Sequence, residues 1–387
     1  MNLGACLPRA VREDRALTEL IQIGLLAKIC VIATICLAYH LMPFCAPCYY
    51  GNFLHPATDP ITQTSAFKTW DGQHYAFLAE QWYGPGRASN AFYPLYPLAV
   101  RLLRFIFLNN TLITGLILSN IFAIGALILL YLLAREIFDE RTAFYAGLFF
   151  LAFPSSYYTG LMYTESLFLL LALLLFHSLY RNMFFPALAA SALLPLARPQ
   201  GVLLLIPLSV YLLIKVPVTK GLRPDRRYLL PLALLGGFVA YLGIMEAATG
   251  DAFAGFAAQN AFASGNAIGN LVHPWRWFQT NFMTLPSGFP GLTMFLVDRA
   301  FLVGFLLILL LIYRHLDKVL FTYAAVLGLV VVFSGIFIAY TRFLLVVFPI
   351  FIVLGHRLKE RHYLVTIPSV ALQLLFLIAH SLNYWVA

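Results

Sequence analysis

Residues 20–46 read LIQIGLLAKICVIATICLAYHLMPFCA, an apolar run broken by one charge, Lys28. The run is too long for a signal peptide, whose apolar core is about 7 to 15 residues, and no clean small-residue cleavage site follows it. A helical crossing of a bilayer needs about 20 such residues. The run is therefore expected to be an uncleaved first membrane span. Upstream, Met1 to Glu19 carries Arg9, Arg12 and Arg15 beside Glu13, Asp14 and Glu19, and that end is expected in the cytoplasm.

The whole chain agrees with this start. Of its 387 residues, 61% are hydrophobic and only 11% charged, with a mean hydropathy of +0.84. Soluble globular proteins carry about 25% charged residues, so that class is excluded and a polytopic membrane protein is expected. The 34 Phe and 21 Tyr suit lipid-facing surfaces and interfacial belts. A net charge of +9 needs no nucleic acid partner, because Lys and Arg collect in cytoplasmic loops. Five cysteines, at 6, 30, 36, 45 and 48, lack the His or Cys neighbours that would complete a metal site. Cys45 and Cys48 fall at the outer end of the first span. An incidental pair of small residues is the simpler reading there, and a disulfide the alternative.

Further spans are expected near Thr111–Ala134, from Thr142 to about Pro154, then Glu165–Tyr180, Tyr228–Ala248, Leu292–Ile312, Val319–Tyr340, Phe343–Gly355 and from Leu364 onward. Two runs, Met183–Ala197 and Gly201–Lys215, are short for a crossing. They meet at Arg198-Pro199-Gln200, which suggests a pocket. The expected fold is thus a single all-α multi-span domain over 1–387, with about 11 crossings. Sixteen Lys and Arg fall on the cytoplasmic side of this topology and eight outside, and Lys28 completes the 25. That bias puts the N-terminus inside and the C-terminus outside.

Two long outer loops result, 47–90 and 250–290. Loops of such length are usually functional or disordered, and the aromatic content argues against disorder. The first contains the most polar and aromatic stretch of the chain, KTWDGQHYAFLAEQWYG at 68–84. If Asp71 starts a short helix, His74 and Tyr75 follow at three and four residues, on one face. The alternative is that Asp71 only caps a surface helix. Asp71, Glu165, Arg198, Asp251, Arg299 and Arg342 all fall at or near the outer surface. Singly each has a structural reading: Glu165 at a helix N-terminus, Asp251 in a turn, Arg198 or Arg342 snorkelling to headgroups. Together they form the constellation that binds a phosphate-linked substrate and activates a hydroxyl.

WDGQHY at 70–75, FYPLYPLAVRLL at 92–103, Tyr163-Thr-Glu-Ser-Leu-Phe168, ARPQG at 197–201, GDAFAGF at 250–256 with Gln259, and TRFLLVVFPIF at 341–351 occur in an order that resembles the PIG-V family. That family comprises the second mannosyltransferase of GPI-anchor assembly and its prokaryotic relatives, and the resemblance covers roughly residues 65–355. It implies a C-type glycosyltransferase (GT-C) helix bundle with short helices in its long first outer loop. It also implies transfer of mannose from a polyprenyl-phosphate carrier on the non-cytoplasmic side of the plasma or ER membrane. Lys68-Thr69 stands where an arginine is expected before Trp-Asp, and Ala252 where a proline is commoner, which leaves the acceptor open.

The residues fit this chemistry on their own terms. A hydroxyl attacking an anomeric carbon needs a carboxylate to take its proton, and Asp71 is the candidate base, with Glu165 and His74 the other candidate catalytic groups. The leaving phosphate is best held by guanidinium groups, for which Arg198 and Arg342 are the candidates. Trp70, Tyr75, Gln200 and Asp251 are the candidate substrate contacts. No Asp-x-Asp pair is present to hold a metal, and no cofactor is expected. The expected partners are the lipid-linked donor, a glycan or glycolipid acceptor, and the bilayer. A transporter or flippase of a lipid-linked sugar is the reading from a different class, since transporters also use broken helices. A scaffold subunit of a glycan-assembly complex is the third.

Overall fold

The computed structural model describes residues 14–52, 60–216, 225–262, 273–283, 291–333 and 339–386, and every regular element among them is helical. Helix α1, Arg15–Leu41, is capped by Asp14, whose side chain accepts from Leu17 N at 2.9 Å. It stops before the expected end at Ala46 because Pro43 forces Met42 into extended backbone (φ −130°, ψ 153°). A separate helix, Ala46–Asn52, follows. At its start Cys45 and Cys48 are disulfide-bonded with Cα atoms 5.3 Å apart, so the incidental-pair reading is corrected. One helical turn brings residues three apart together.

The first outer loop contains α2, Asp71–Gln81, and leads into α3, Leu95–Leu103. Then come α4 (Thr111–Ile137), α5 (Glu140–Ala152), α6 (Glu165–Tyr180), α7 (Phe184–Ala197), α8 (Leu205–Lys215) and α9 (Leu229–Thr249). Asn110 and Asp139 cap α4 and α5 through bonds from Ile113 N and Thr142 N. Of the second outer loop, Ala254–Ala258 and Pro274–Phe278 are helical, while 263–272 and 284–290 lie outside the described residues. The chain continues through α10 (Gly291–His315), α11 (Lys318–Phe333), α12 (Tyr340–Leu344), α13 (Pro349–Leu358) and α14 (Tyr363–Ser381).

The last third departs from expectation. Of the span expected over Val319–Tyr340, α11 is described as far as Phe333, 334–338 lie outside the described residues and Ala339 has left-handed backbone (φ 57°), while the expected Phe343–Gly355 span is divided between α12 and α13. Pro349 begins α13 at its first turn, where a missing N–H costs nothing. Arg342 therefore sits on a five-residue helix rather than at the head of a long one.

Among the described residues, five helical stretches are long and apolar enough to cross a membrane: Arg15–Leu41, Thr111–Ile137, Arg226–Thr249, Phe295–His315 and Tyr363–Ser381. Four more apolar helices are 10–17 residues long. The chain is an integral membrane protein built as a helical bundle. In such a bundle lipid is as apolar as leucine, so close packing rather than escape from water holds helices together. Sequence neighbours pack as hairpins, α4 with α5 and α6 with α7, and α9 lies along α7. Gly237 makes that last contact possible, because a Cβ there would stand 2.0 Å from the Ala192 carbonyl oxygen. Large buried tyrosines fill the interior, and several find a partner for the hydroxyl, as where Tyr96 donates to the Gly115 carbonyl at 2.9 Å.

The two ends of the bundle differ in chemistry. One end carries half-exposed ion pairs, Arg135–Asp14, Arg181–Glu136, Arg141–Glu360 and Lys359–Asp139, each worth little in water. The opposite end holds buried charges as well, Glu165, Arg198 and Arg342.

Candidate active site

Four of the predicted charges form one chain. Arg342 Nη2 lies 2.6 Å from Asp71 Oδ2, and Arg342 Nε lies 2.5 Å from Glu165 Oε1. Arg198 Nη1 reaches the same Glu165 oxygen at 2.6 Å. Glu165 is fully buried, whereas the Asp71 side chain is 29% exposed, so Asp71 is the carboxylate open to a partner from outside. Glu165 Oε2 is buried with no hydrogen-bond partner among the described residues.

Local sequence places each charge. Pro195 ends the regular bonding of α7 near its C-terminus, and Pro199 drives Arg198 into extended backbone (φ −155°, ψ 155°). Gly201 permits the tight return, since a Cβ there would meet the Leu194 carbonyl oxygen at 2.2 Å. Gln200 Oε1 accepts from Arg198 Nε at 3.3 Å, which makes Gln200 a support for that guanidinium. Arg198 Nη1 also donates to Thr164 Oγ1 at 3.2 Å. Arg342 lies over the rings of Tyr163 and Tyr158, 4.7 and 5.0 Å from their centroids. Burial works against its charge, but Asp71 and Glu165 outweigh burial and raise its pKa, so it remains a cation.

Its short helix is held by a residue the sequence reading missed. Asp298, buried on α10, accepts from Tyr340 N at 2.9 Å and is also bonded by the amides of Ala339 and Thr341. A carboxylate in an apolar helix was the available signal.

Asp71 is the first residue of α2, as expected, but not its cap. The N-cap is Trp70, and the Asp71 carboxylate turns away from the helix to Arg342. Trp70 has φ 52° and ψ −123°, a conformation that costs a non-glycine residue about 1–3 kcal/mol and persists only where neighbours enforce it. Tyr75 does reach the cluster: its hydroxyl is 3.2 Å from Thr164 Oγ1, the atom that Arg198 also contacts. Burial pushes the Tyr75 hydroxyl pKa well up, so it stays protonated and can donate but not act as a base. His74 does not join them. Its Nδ1 is 2.9 Å from Ser89 Oγ and its ring stacks on Phe92 at 4.6 Å. Two groups of the predicted constellation stand apart. Asp251 is an exposed turn residue accepting from Phe253 N at 2.8 Å, and Arg299 donates to the Asn281 carbonyl against the Phe295 ring.

A second missed contributor is the end of the chain. His380 Nε2 lies 3.0 Å from Thr69 Oγ1 and 3.3 Å from Tyr163 Oη, and Tyr163 donates to the Thr69 carbonyl at 2.9 Å.

These features define an integral membrane protein with a buried Asp–Arg–Glu–Arg chain opening at one end of its bundle through Asp71. A family profile described as Mannosyltransferase (PIG-V) matches residues 14–210, just over half of the chain, and the protein belongs to that family. The match contains Asp71, Glu165 and Arg198, while Arg342, Asp251 and His380 lie beyond it. No curated protein matches the chain. Solved structures similar to it include the Archaeoglobus fulgidus oligosaccharyltransferase in its apo form, with a TM-score of 0.47, 13% identity, and coverage of 92% of this chain and 56% of that one. The archaeal oligosaccharyltransferase AglB from Archaeoglobus fulgidus, in complex with an inhibitory peptide and a dolichol-phosphate, gives the same score and identity over 93% and 56%. The chain spans a little over half the length of these structures.

Proposed function

We propose that the protein is a glycosyltransferase of GT-C type with about eleven crossings. In this reading it moves a mannosyl residue from a polyprenyl-phosphate carrier to a hydroxyl of an extracytoplasmic glycan or glycolipid. The observation that carries the reading is Arg342, whose guanidinium is shared between an open carboxylate and a buried one. The acceptor oxygen attacks the anomeric carbon and its proton passes to Asp71. The bond from that carbon to the phosphate oxygen breaks on the opposite side, its electron pair stays with the carrier phosphate, and the anomeric configuration inverts. Arg342 and Arg198 hold the developing phosphate charge in a site with little water. A shared guanidinium links the two events, because the proton that neutralises Asp71 releases Arg342 toward the phosphate.

Glu165 serves as the fixed counter-charge that keeps two buried arginines aligned. Thr164, Tyr75 and Gln200 support Arg198 and complete the polar wall. The test is transfer of labelled mannose from its polyprenyl-phosphate carrier by purified protein in lipid, with membrane glycolipids as acceptors. Label is expected in the acceptor with the opposite anomeric configuration. Carrier translocated across vesicles without transfer would instead identify a transporter.

A further inference from the structure

We propose that the C-terminal segment His380–Trp385 is a positioning element of the active site, with His380 fixing the turn from which Asp71 projects. This rests on the reading of Asp71 as the base. The segment lies outside the family match at 14–210.

The turn Thr69–Trp70–Asp71 needs such support. Trp70 occupies positive φ without a side-chain cap, and that backbone persists only where its surroundings over-determine it. The C-terminal segment contacts both Thr69 and Trp70. His380 is 1% exposed, and its Nε2 meets both Thr69 Oγ1 and Tyr163 Oη, at 3.0 and 3.3 Å. Tyr163 has given its only proton to the Thr69 carbonyl, so toward Tyr163 the ring nitrogen is the donor. Trp70 Nε1 donates to the Tyr384 carbonyl at 3.3 Å, and the Trp70 and Trp385 rings meet edge to face at 4.8 Å. The segment is itself pinned, because Cys45 N donates to the Leu382 carbonyl at 2.9 Å.

The same histidine bears on the arginine. Tyr163, which it contacts, is the ring beneath the Arg342 guanidinium, and Tyr158, the second ring there, lies 3.5 Å from His380 Nδ1. One buried imidazole thus ties the backbone before Asp71 to the aromatic platform of its ion-pair partner. Its ring nitrogens meet Thr69, Tyr163 and Tyr158 rather than Asp71, so it acts on the base through the turn.

Two measurements on full-length protein in lipid test this with His380→Ala, His380→Gln and Trp385→Ala. The first is backbone hydrogen exchange across residues 69–73, and the second is steady-state transfer resolved into kcat and KM for the donor. In His380→Ala and Trp385→Ala, exchange is expected to quicken about tenfold at that turn while the rest of the bundle is unchanged. Turnover is expected to fall about 10- to 100-fold, the order that a misplacement of about 1 Å costs. Donor KM is expected to stay within about twofold. His380→Gln keeps an amide where Nε2 stood and is expected to recover most of both losses.

Unchanged exchange at 69–73 in all three variants overturns the proposal. So does faster exchange with normal kcat, or a loss confined to KM. If His380→Ala does not fold, Trp385→Ala, at a side chain 40% exposed, and His380→Gln carry the test. If the wild-type protein transfers no sugar, the functional reading falls instead. The exchange arm then decides alone whether the segment holds the turn.

Discussion

Arg342 Nη2 lies 2.6 Å from Asp71 Oδ2, and the same guanidinium reaches Glu165 through Nε, so one side chain spans the two acids with two different nitrogens. That division of labour sets distinct expectations for each of the three residues.

Asp71→Asn keeps an oxygen to accept from Arg342 but cannot take a proton. Expression and donor binding should stay near wild type while turnover drops about 10²- to 10⁴-fold, the range of general-base catalysis. Labelled-mannose transfer alongside a donor-binding measurement reads both. Near-normal turnover would remove Asp71 from the role of base.

Arg342→Lys should resemble Arg342→Ala in turnover, because a single ammonium cannot replace a planar fork between two carboxylates. Arg198 contacts Glu165 and Thr164 through Nη1 and Gln200 through Nε, and the same ranking is expected. Steady-state assays of the four variants decide the matter, and a lysine variant with wild-type kcat and KM would leave that arginine a structural counter-charge to Glu165 with no part in holding the phosphate.

Glu165→Gln is expected to act first on stability. Neutralising the acid that both arginines share leaves Arg342 with Asp71 alone and Arg198 with no carboxylate, and breaking a buried pair this way typically costs about 3–5 kcal/mol. Thermal unfolding in lipid should show a large drop for Glu165→Gln and a small one for Asp71→Asn. Equal stability of the two would mean that Glu165 is not the anchor.

Asp298→Ala should lower both stability and turnover although Asp298 lies outside the ion-pair chain. It removes the acceptor for the buried amide of Tyr340, and an unsatisfied buried group costs about 1–3 kcal/mol. The comparison that checks it is kcat for Asp298→Asn, which retains an acceptor oxygen and is expected to recover most of the loss.

Orientation is tested in protein whose native cysteines are replaced. A cysteine at exposed Gln81, at the end of α2, should react with an impermeant thiol reagent applied to intact cells. One at exposed Glu140, at the opposite end of the bundle, should not. The reverse pattern would put the site in the cytoplasm.

The sequence by itself determined the membrane class, the helical hairpins and most of the charged site. A run such as Glu165–Tyr180 is both legible and built as read, because apolar length and flanking polar residues are local properties that decide a helix on their own. Asp71, Glu165, Arg198 and Arg342 were legible for a related reason: a charge beside an apolar span is conspicuous wherever it finally points. What the tertiary structure decided was partnership. Spacing put His74 on the face of Asp71, yet packing turned it to Ser89 and Phe92, and the expected topology grouped Asp251 with the acids although it closes a local turn. Asp298 and His380 sit in helices read as plain spans. Their partners, the amide of Tyr340 and the turn at Thr69, come from distant parts of the chain that meet only in the folded bundle, and periodicity carries no record of such contacts.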